Sequence, residues 1–262
     1  MPFLEANGTT INYLLDGPES APVIAFSNGL GTATALWDAQ VAALSGKFRI
    51  LRHDTRGHGQ SKTTPGPYTI ELLSRDLIGL LDALKISRVH FCGLSMGGLI
   101  GQWFANNQAD RLISVTICDT AARIGAADMW NARIAKVKTE GLAAIVDAVT
   151  SRWLTEPFAQ KFPQTLESVR VMLLGNSPDG YALCCGAIRD ADFSQASPTT
   201  QVPMLVITGA QDLVTSPSDA KFLVAKYAGA RYVELNGGHL SNVEDAAGFT
   251  RALSDFISQL EA

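Results

Sequence analysis

The chain has 262 residues, 47% of them hydrophobic and 18% charged, with a mean hydropathy of +0.12. It can therefore bury a full core and is not a disordered chain. Twenty-one Lys and Arg stand against 25 Asp and Glu, a net charge of −4 without any block of like charges, so neither nucleic acid nor an anionic membrane is an expected partner.

In chain order, short apolar runs rich in β-branched residues predict strands at Thr9 to Leu14, Val23 to Phe26, Phe48 to Leu51, Val89 to Cys92, Ile113 to Ile117, Met204 to Thr208 and Tyr232 to Leu235. Helix-period segments lie between them. In Thr69 to Leu84, for example, Ile70, Leu73, Leu77, Leu80, Leu81 and Leu84 share one face. Strands alternating with helices imply an α/β protein with a mostly parallel sheet covered on both faces, and the earliest strands, joined by turn residues, suggest an antiparallel start. From about 121 to 197 the alternation stops. Helical patterns such as Trp130 to Lys138 and Leu142 to Leu154 replace it, and Pro198 and Pro203 bracket the return to a strand. The expectation is a core of residues 1–120 and 198–262 with a helical cap, 121–197, inserted in it.

No apolar run is long enough to span a membrane, and MPFLEANGTTINY lacks the plan of an export signal, so a cytoplasmic protein is expected. Cys92, Cys118, Cys184 and Cys185 are too few for a disulfide framework and lack metal-ligand spacing; they read as reduced, buried residues. His53 and His58, in RHDTRGHGQS, have no third ligand of suitable spacing, so no metal is expected there. That string reads as a loop beside the sheet end. No nucleotide-binding fingerprint appears, and no cofactor is expected.

The sharpest signal is Gly93-Leu94-Ser95-Met96-Gly97, between a strand pattern and a helix pattern. G-x-S-x-G in that setting holds a serine on a strained turn, with glycines on both sides to avoid clashes, and aims the amino end of the next helix at a developing oxyanion. A serine hydroxyl needs a base, and the base needs a carboxylate. Of four histidines, His239, in a turn after the last strand, suits the role of base. Asp212, in the loop after Met204 to Thr208, suits that of carboxylate, with Asp119 as the alternative. The second oxyanion donor is expected from Ser27-Asn28-Gly29-Leu30-Gly31, so the main-chain N–H groups of Leu30 and Met96 are the expected hole.

The elbow, the RHDTRGHGQS loop and the order Ser95, Asp212, His239 resemble the α/β-hydrolase superfamily over nearly the whole chain. FCGLSMGGLIGQW, CDTAARIG, GYALCCGAI followed by RDADF, and GGHLSNVE resemble one family within it, the 3-oxoadipate enol-lactonases. The resemblance implies an eight-stranded α/β-hydrolase sheet with a cap closing over the substrate. It also implies a Ser-His-Asp triad that opens a lactone ring through an acyl-enzyme to give 3-oxoadipate. A general carboxylesterase or perhydrolase with the same triad is the alternative.

Such a small anionic substrate calls for a cation. Residues 123–138 carry Arg123, Arg133, Lys136 and Lys138 against Asp128, which makes this stretch basic. Arg133, one helical turn after Trp130, is the expected carboxylate partner beside an aromatic wall, with Arg189 as its rival and Trp153 expected in packing. A homo-oligomer is compatible with the sequence.

Overall fold

The computed structural model describes residues 2–261. Its strands are β1 (Phe3–Ala6), β2 (Thr9–Asp16), β3 (Val23–Ser27), β4 (Arg49–His53), β5 (Val89–Leu94), β6 (Leu112–Cys118), β7 (Met204–Gly209) and β8 (Arg231–Leu235). They form one sheet in the order β1-β2-β4-β3-β5-β6-β7-β8. β1 with β2 and β2 with β4 are antiparallel; every other pair is parallel. This is the α/β-hydrolase fold. β5 and β7 are buried along their whole length, which is why they read as continuous apolar runs rather than alternating ones.

β1 escapes the apolar-run reading because it is a four-residue edge strand with a largely exposed FLEA sequence. It is held by a two-residue hairpin at Asn7-Gly8, both at positive φ (47° and 73°), a turn pair the sequence does carry.

Helices α1 (Asp38–Leu44), α2 (Ile70–Ala83) and α3 (Met96–Asn107) lie between the strands. α2 shows why its sequence is helical. Thr69 caps it by accepting the Leu72 N–H at 3.0 Å, and Ile70, Leu73, Leu77, Leu80 and Leu81 form its buried stripe. Between β6 and β7 come α4 (Ala127–Glu140), α5 (Val146–Thr150), α6 (Glu156–Lys161), α7 (Pro163–Leu174) and α8 (Pro178–Asp190), with no strand among the described residues there. The helical pattern from Leu142 to Leu154 is broken into a 3₁₀ turn, Leu142–Ala144, then α5 and a further turn. Its large apolar residues are all buried, but against different neighbours, α4 and α7, so packing overrides one continuous helix. The chain ends in α9 (Pro217–Lys226), α10 (Ser241–Glu244) and α11 (Ala246–Glu261).

Register fixes where function can sit. Ser27 pairs with Gly93, Leu94 with Cys118, Cys118 with Ile207, and Gly209 with Leu235, so these parallel strands end along one edge. The segments after them, starting near 28, 95, 119, 210 and 236, emerge side by side, the usual ligand edge of a parallel sheet.

The RHDTRGHGQS loop is built of buried charge. Arg56 forms a two-pronged pair with Asp76 of α2 (2.8 and 2.5 Å) and also reaches the Asn7 carbonyl and the Thr64 hydroxyl, both at 2.8 Å. Both partners are buried, and burial pushes the Asp76 carboxyl above its ordinary range despite Arg56 and Asn7. Replacing Asp76 by Ala leaves a buried guanidinium uncompensated, with an expected loss of about 3–5 kcal/mol of stability, measurable by urea unfolding. A loss below about 1 kcal/mol contradicts this account of the loop.

Candidate active site

The turn from β5 into α3 takes one residue. Ser95 sits at φ 56°, ψ −109°, and α3 begins at Met96. The glycines around it are sterically required. A Cβ on Gly93 would lie 2.2 Å from the Gly97 carbonyl oxygen, and one on Gly97 would lie 2.3 Å from that of Ser27. The strained residue is held from β6: its N–H donates to the Cys118 carbonyl (2.9 Å) and the Thr120 hydroxyl donates to its carbonyl (2.8 Å).

His239 Nε2 lies 3.0 Å from Ser95 Oγ, and its Nδ1 lies 2.8 Å from Asp212 Oδ2. All three are buried. Asp212 also accepts the Val214 and Thr215 N–H groups (2.7 and 3.0 Å) and the Thr215 hydroxyl (2.9 Å). Burial works against its charge, but His239 and these donors outweigh burial and hold the carboxyl below its ordinary range. An ionised Asp212 accepts from Nδ1–H, which leaves Nε2 as the acceptor facing the serine hydroxyl. Burial opposes an imidazolium at His239 too, yet Asp212, with Asp119 behind it, raises its pKa above the usual imidazole value.

Asp119, the alternative carboxylate, faces elsewhere. Its Oδ1 accepts the Gly209 N–H (2.8 Å), and its Oδ2 accepts the Ser241 hydroxyl (2.6 Å) and N–H (3.3 Å). The loops bearing Asp212 and His239 also bond directly, Ala210 N–H to the Leu235 carbonyl (2.8 Å) and Gln211 N–H to that of Gly237 (2.9 Å).

The segment 28–31 crosses in front of Ser95, and a Cβ on Gly29 would lie 3.5 Å from the Ser95 Cβ. Leu30 lines the pocket there, and the Met96 N–H, at the first position of α3, has no carbonyl one turn earlier to bond. Gly31 (φ 80°) is gripped on both sides: its N–H donates to His58 Nε2 (2.9 Å) and its carbonyl accepts from Asn176 Nδ2 (2.9 Å). Asn176 Oδ1 accepts the Gly59 N–H (2.8 Å), so this residue just after α7 ties both loops together. Burial lowers the pKa of His58 to about 4, consistent with a neutral ring whose Nε2 accepts. His53, also buried, is likewise lowered to about 4 by burial.

The pocket in front of Ser95 is mainly apolar. Trp130 and Arg133 of α4 both line it, with the guanidinium 4.9 Å from the Trp130 ring centroid and the indole N–H donating to the Ile124 carbonyl (2.6 Å). Trp153, expected only in packing, lines the pocket as well as packing near Gly31. Tyr181 of α8 lies beside Arg133, with burial raising its pKa and the guanidinium opposing the rise. Arg189 lies outside the pocket lining, half-buried and paired with Asp190 and Asn131. Of the other basic residues in this stretch, Arg123 pairs with Asp192 at 3.5 Å, and Lys136 and Lys138 face solvent. Sequence reasoning does not reach Tyr181, Asn176 or the His58–Gly31 bond. Each depends on a contact between segments far apart in the chain, for which local patterns carry no signal.

A profile of the α/β hydrolase fold family matches residues 22–246. The chain is 40% identical over 250 residues to 3-oxoadipate enol-lactonase 2 of Acinetobacter baylyi, covering 95% of this chain and 94% of that protein. It is 37% identical to 3-oxoadipate enol-lactonase 1 of the same organism, covering 97% and 95%. The crystal structure of the enol-lactonase from Burkholderia xenovorans LB400 superposes with a TM-score of 0.96 at 47% identity, covering 98% of this chain and all of that one. The chain thus belongs to the α/β-hydrolase family and, within it, groups with the 3-oxoadipate enol-lactonases.

Proposed function

We propose that this protein is a serine hydrolase that opens the ring of 3-oxoadipate enol-lactone to give 3-oxoadipate. The observation that carries the reading is that Ser95, His239 and Asp212 form one hydrogen-bonded line opening into a pocket with a single permanent charge in its lining, that of Arg133. A largely apolar pocket with one cation suits a small ring ester bearing one carboxylate.

In this mechanism Ser95 Oγ attacks the ring carbonyl carbon while His239 Nε2 takes the hydroxyl proton. Asp212 holds the imidazole tautomer and stabilises the imidazolium. The N–H groups of Leu30 and Met96 receive the oxyanion. Collapse breaks the ring C–O bond, the enol oxygen leaves with a proton from His239, and the enol ketonises. Water activated by His239 then releases the acyl group from Ser95. Arg133 holds the substrate carboxylate with Trp130 as a wall of the pocket. Residues 121–197 act as the cap over the site on the core of residues 1–120 and 198–262. We place the reaction in the cytoplasm; no described helix is long and apolar enough to cross a membrane.

Purified enzyme compared on the enol-lactone and on neutral aryl esters tests the substrate. A strong preference for the neutral ester would sink the lactonase reading in favour of a general esterase. Ser95→Ala should lower kcat by about six orders of magnitude and Asp212→Asn by about four, from serine hydrolase precedent; retained turnover in either rules out the relay. Arg133→Ala should raise KM for the carboxylate-bearing lactone while leaving KM for neutral esters near wild type, and an equal effect on both removes its role.

The pH profile has a defined sign. His239 must be neutral to accept the serine proton, and its pKa is raised, so kcat/KM should be full at alkaline pH. It should fall with decreasing pH through a value above the ordinary imidazole pKa of about 6.5. An acid limb below that value contradicts the assignment.

A further inference from the structure

A second carboxylate is buried beside the relay without bonding to it, and three donors converge on it. Asp119 is 0% exposed and stands at φ 45° immediately after β6. Its carboxylate accepts the Gly209 N–H, from the strand end that leads to Asp212, and both the N–H and the hydroxyl of Ser241, two residues after His239. Its own N–H donates to the Ile207 carbonyl at 2.9 Å, carrying the β6–β7 pairing one residue past the strand. Its chain neighbours Cys118 and Thr120 are the two residues that grip the Ser95 backbone. Segment 118–120 therefore touches the local structure of all three relay residues, and Asp119 is its only side chain that reaches both loops.

We propose that Asp119 is a positioning residue for the reaction: its carboxylate fixes the loops of Asp212 and His239 relative to one another, and its negative charge strengthens the His239 base. The inference rests on the reading of Ser95, His239 and Asp212 as the catalytic relay.

The hydrogen-bond pattern specifies the charged form. The Gly209 and Ser241 N–H groups can only donate, so a protonated Asp119 gives up acceptor capacity where donors converge. Burial, and then the charge of Asp212, press the other way and push its pKa up to about 7, against the opposing pull of His239, Ser241 and Gly209. The charged and titratable groups that act on this cluster are Asp212 from the loop after β7, His239 from the loop after β8, Arg152 from the turn after α5, and Cys118 on β6. Asp119 and Asp212 both favour the imidazolium of His239, while Arg152 opposes it. Lowering the pH protonates both His239 and Asp119, so the base is lost as the anchor of its loop weakens.

Asp119→Asn and Ser241→Ala separate charge from anchoring. On the full-length enzyme, kcat, KM and the pH–rate profile are measured with the enol-lactone, and the rate of Ser95 phosphonylation is measured with a fluorophosphonate, which needs no lactone recognition. Ser241→Ala should lower kcat roughly tenfold, with KM nearly unchanged and the acid limb in place, as expected for a misplaced base. Asp119→Asn should lower kcat by about ten- to a hundredfold, slow the phosphonylation in parallel, and move the acid limb to lower pH because one of the two anions that favour the His239 imidazolium is gone. Its melting temperature at pH 8 should stay within a few degrees of wild type, since relief of the buried charge offsets the lost acceptor. An unmoved acid limb with wild-type kcat in Asp119→Asn, or a loss in both variants that tracks melting temperature alone, overturns the proposal. Wild-type enzyme that the fluorophosphonate fails to label, or full activity in Asp212→Asn, overturns the relay reading instead.

Discussion

A serine held at φ 56° and ψ −109° occupies a backbone conformation that costs on the order of 1–3 kcal/mol, and the centre of this molecule is arranged to impose it. Three features act together. Gly93 and Gly97 remove the side chains that would block so sharp a reversal, Cys118 and Thr120 hold the Ser95 peptide from the neighbouring strand, and α3 starts at once so that its first free N–H lies beside the hydroxyl. The strain is sustained because β5 and β6 pair without interruption from His90–Ser114 to Leu94–Cys118 and their neighbours end along the same edge. Without that alignment the serine would relax, and the loops bearing His239 and Asp212 would have no common frame.

The electrostatics of the site follow from placing two carboxylates and one imidazole in the same buried space. Asp212 is stabilised as an anion by its direct imidazole bond and the donors of Val214 and Thr215, whereas Asp119, one strand away, is driven upward by burial and by Asp212 itself. Equal chemistry in unequal surroundings separates the two acids. In the mechanism proposed here, one keeps its charge against the histidine and the other serves the scaffold. RHDTRGHGQS distributes its charges similarly. Arg56 pairs with Asp76, and Asp54 accepts Asn12 Nδ2, the Thr34 N–H and the Gln60 N–H, so the loop that supports Gly31 is held largely by buried polar contacts.

Seven of the eight strands were legible as short apolar runs: the inner strands because cover on both faces favours apolar residues along their length, and antiparallel β2 and edge strand β8 through their β-branched and aromatic residues. β1 was not, since one half-covered edge strand of four residues carries too little of that signal, although Asn7-Gly8 announced its hairpin. Ser95 was legible because a steric requirement for glycine is local. His239 and Asp212 were legible from loop position and chain order, and His239 lies within hydrogen-bond reach of both Asp212 and the serine. What stayed out of reach was everything set by one loop acting on another: Asn176 on Gly31, His58 as an acceptor in place of a ligand, and Asp119 as a link between loops rather than a partner of the imidazole. The broken stretch from Leu142 to Leu154 is the same lesson in reverse, a clear local period overruled by the surfaces on which each turn lands.

Gly57 and Gly180 meet backbone to backbone, and a Cβ on Gly180 would fall 2.2 Å from the Gly57 carbonyl oxygen. Here the first turn of α8 is seated on the core with no side chain between them, and Tyr181, the next residue, forms part of the pocket wall. That side of the chamber inherits the stiffness of the sheet and sets a hard ceiling on what fits. Any latitude for ligands of other shapes has to come from the adjoining helix α4, where Trp130 and Arg133 stand and whose outer face is open to water.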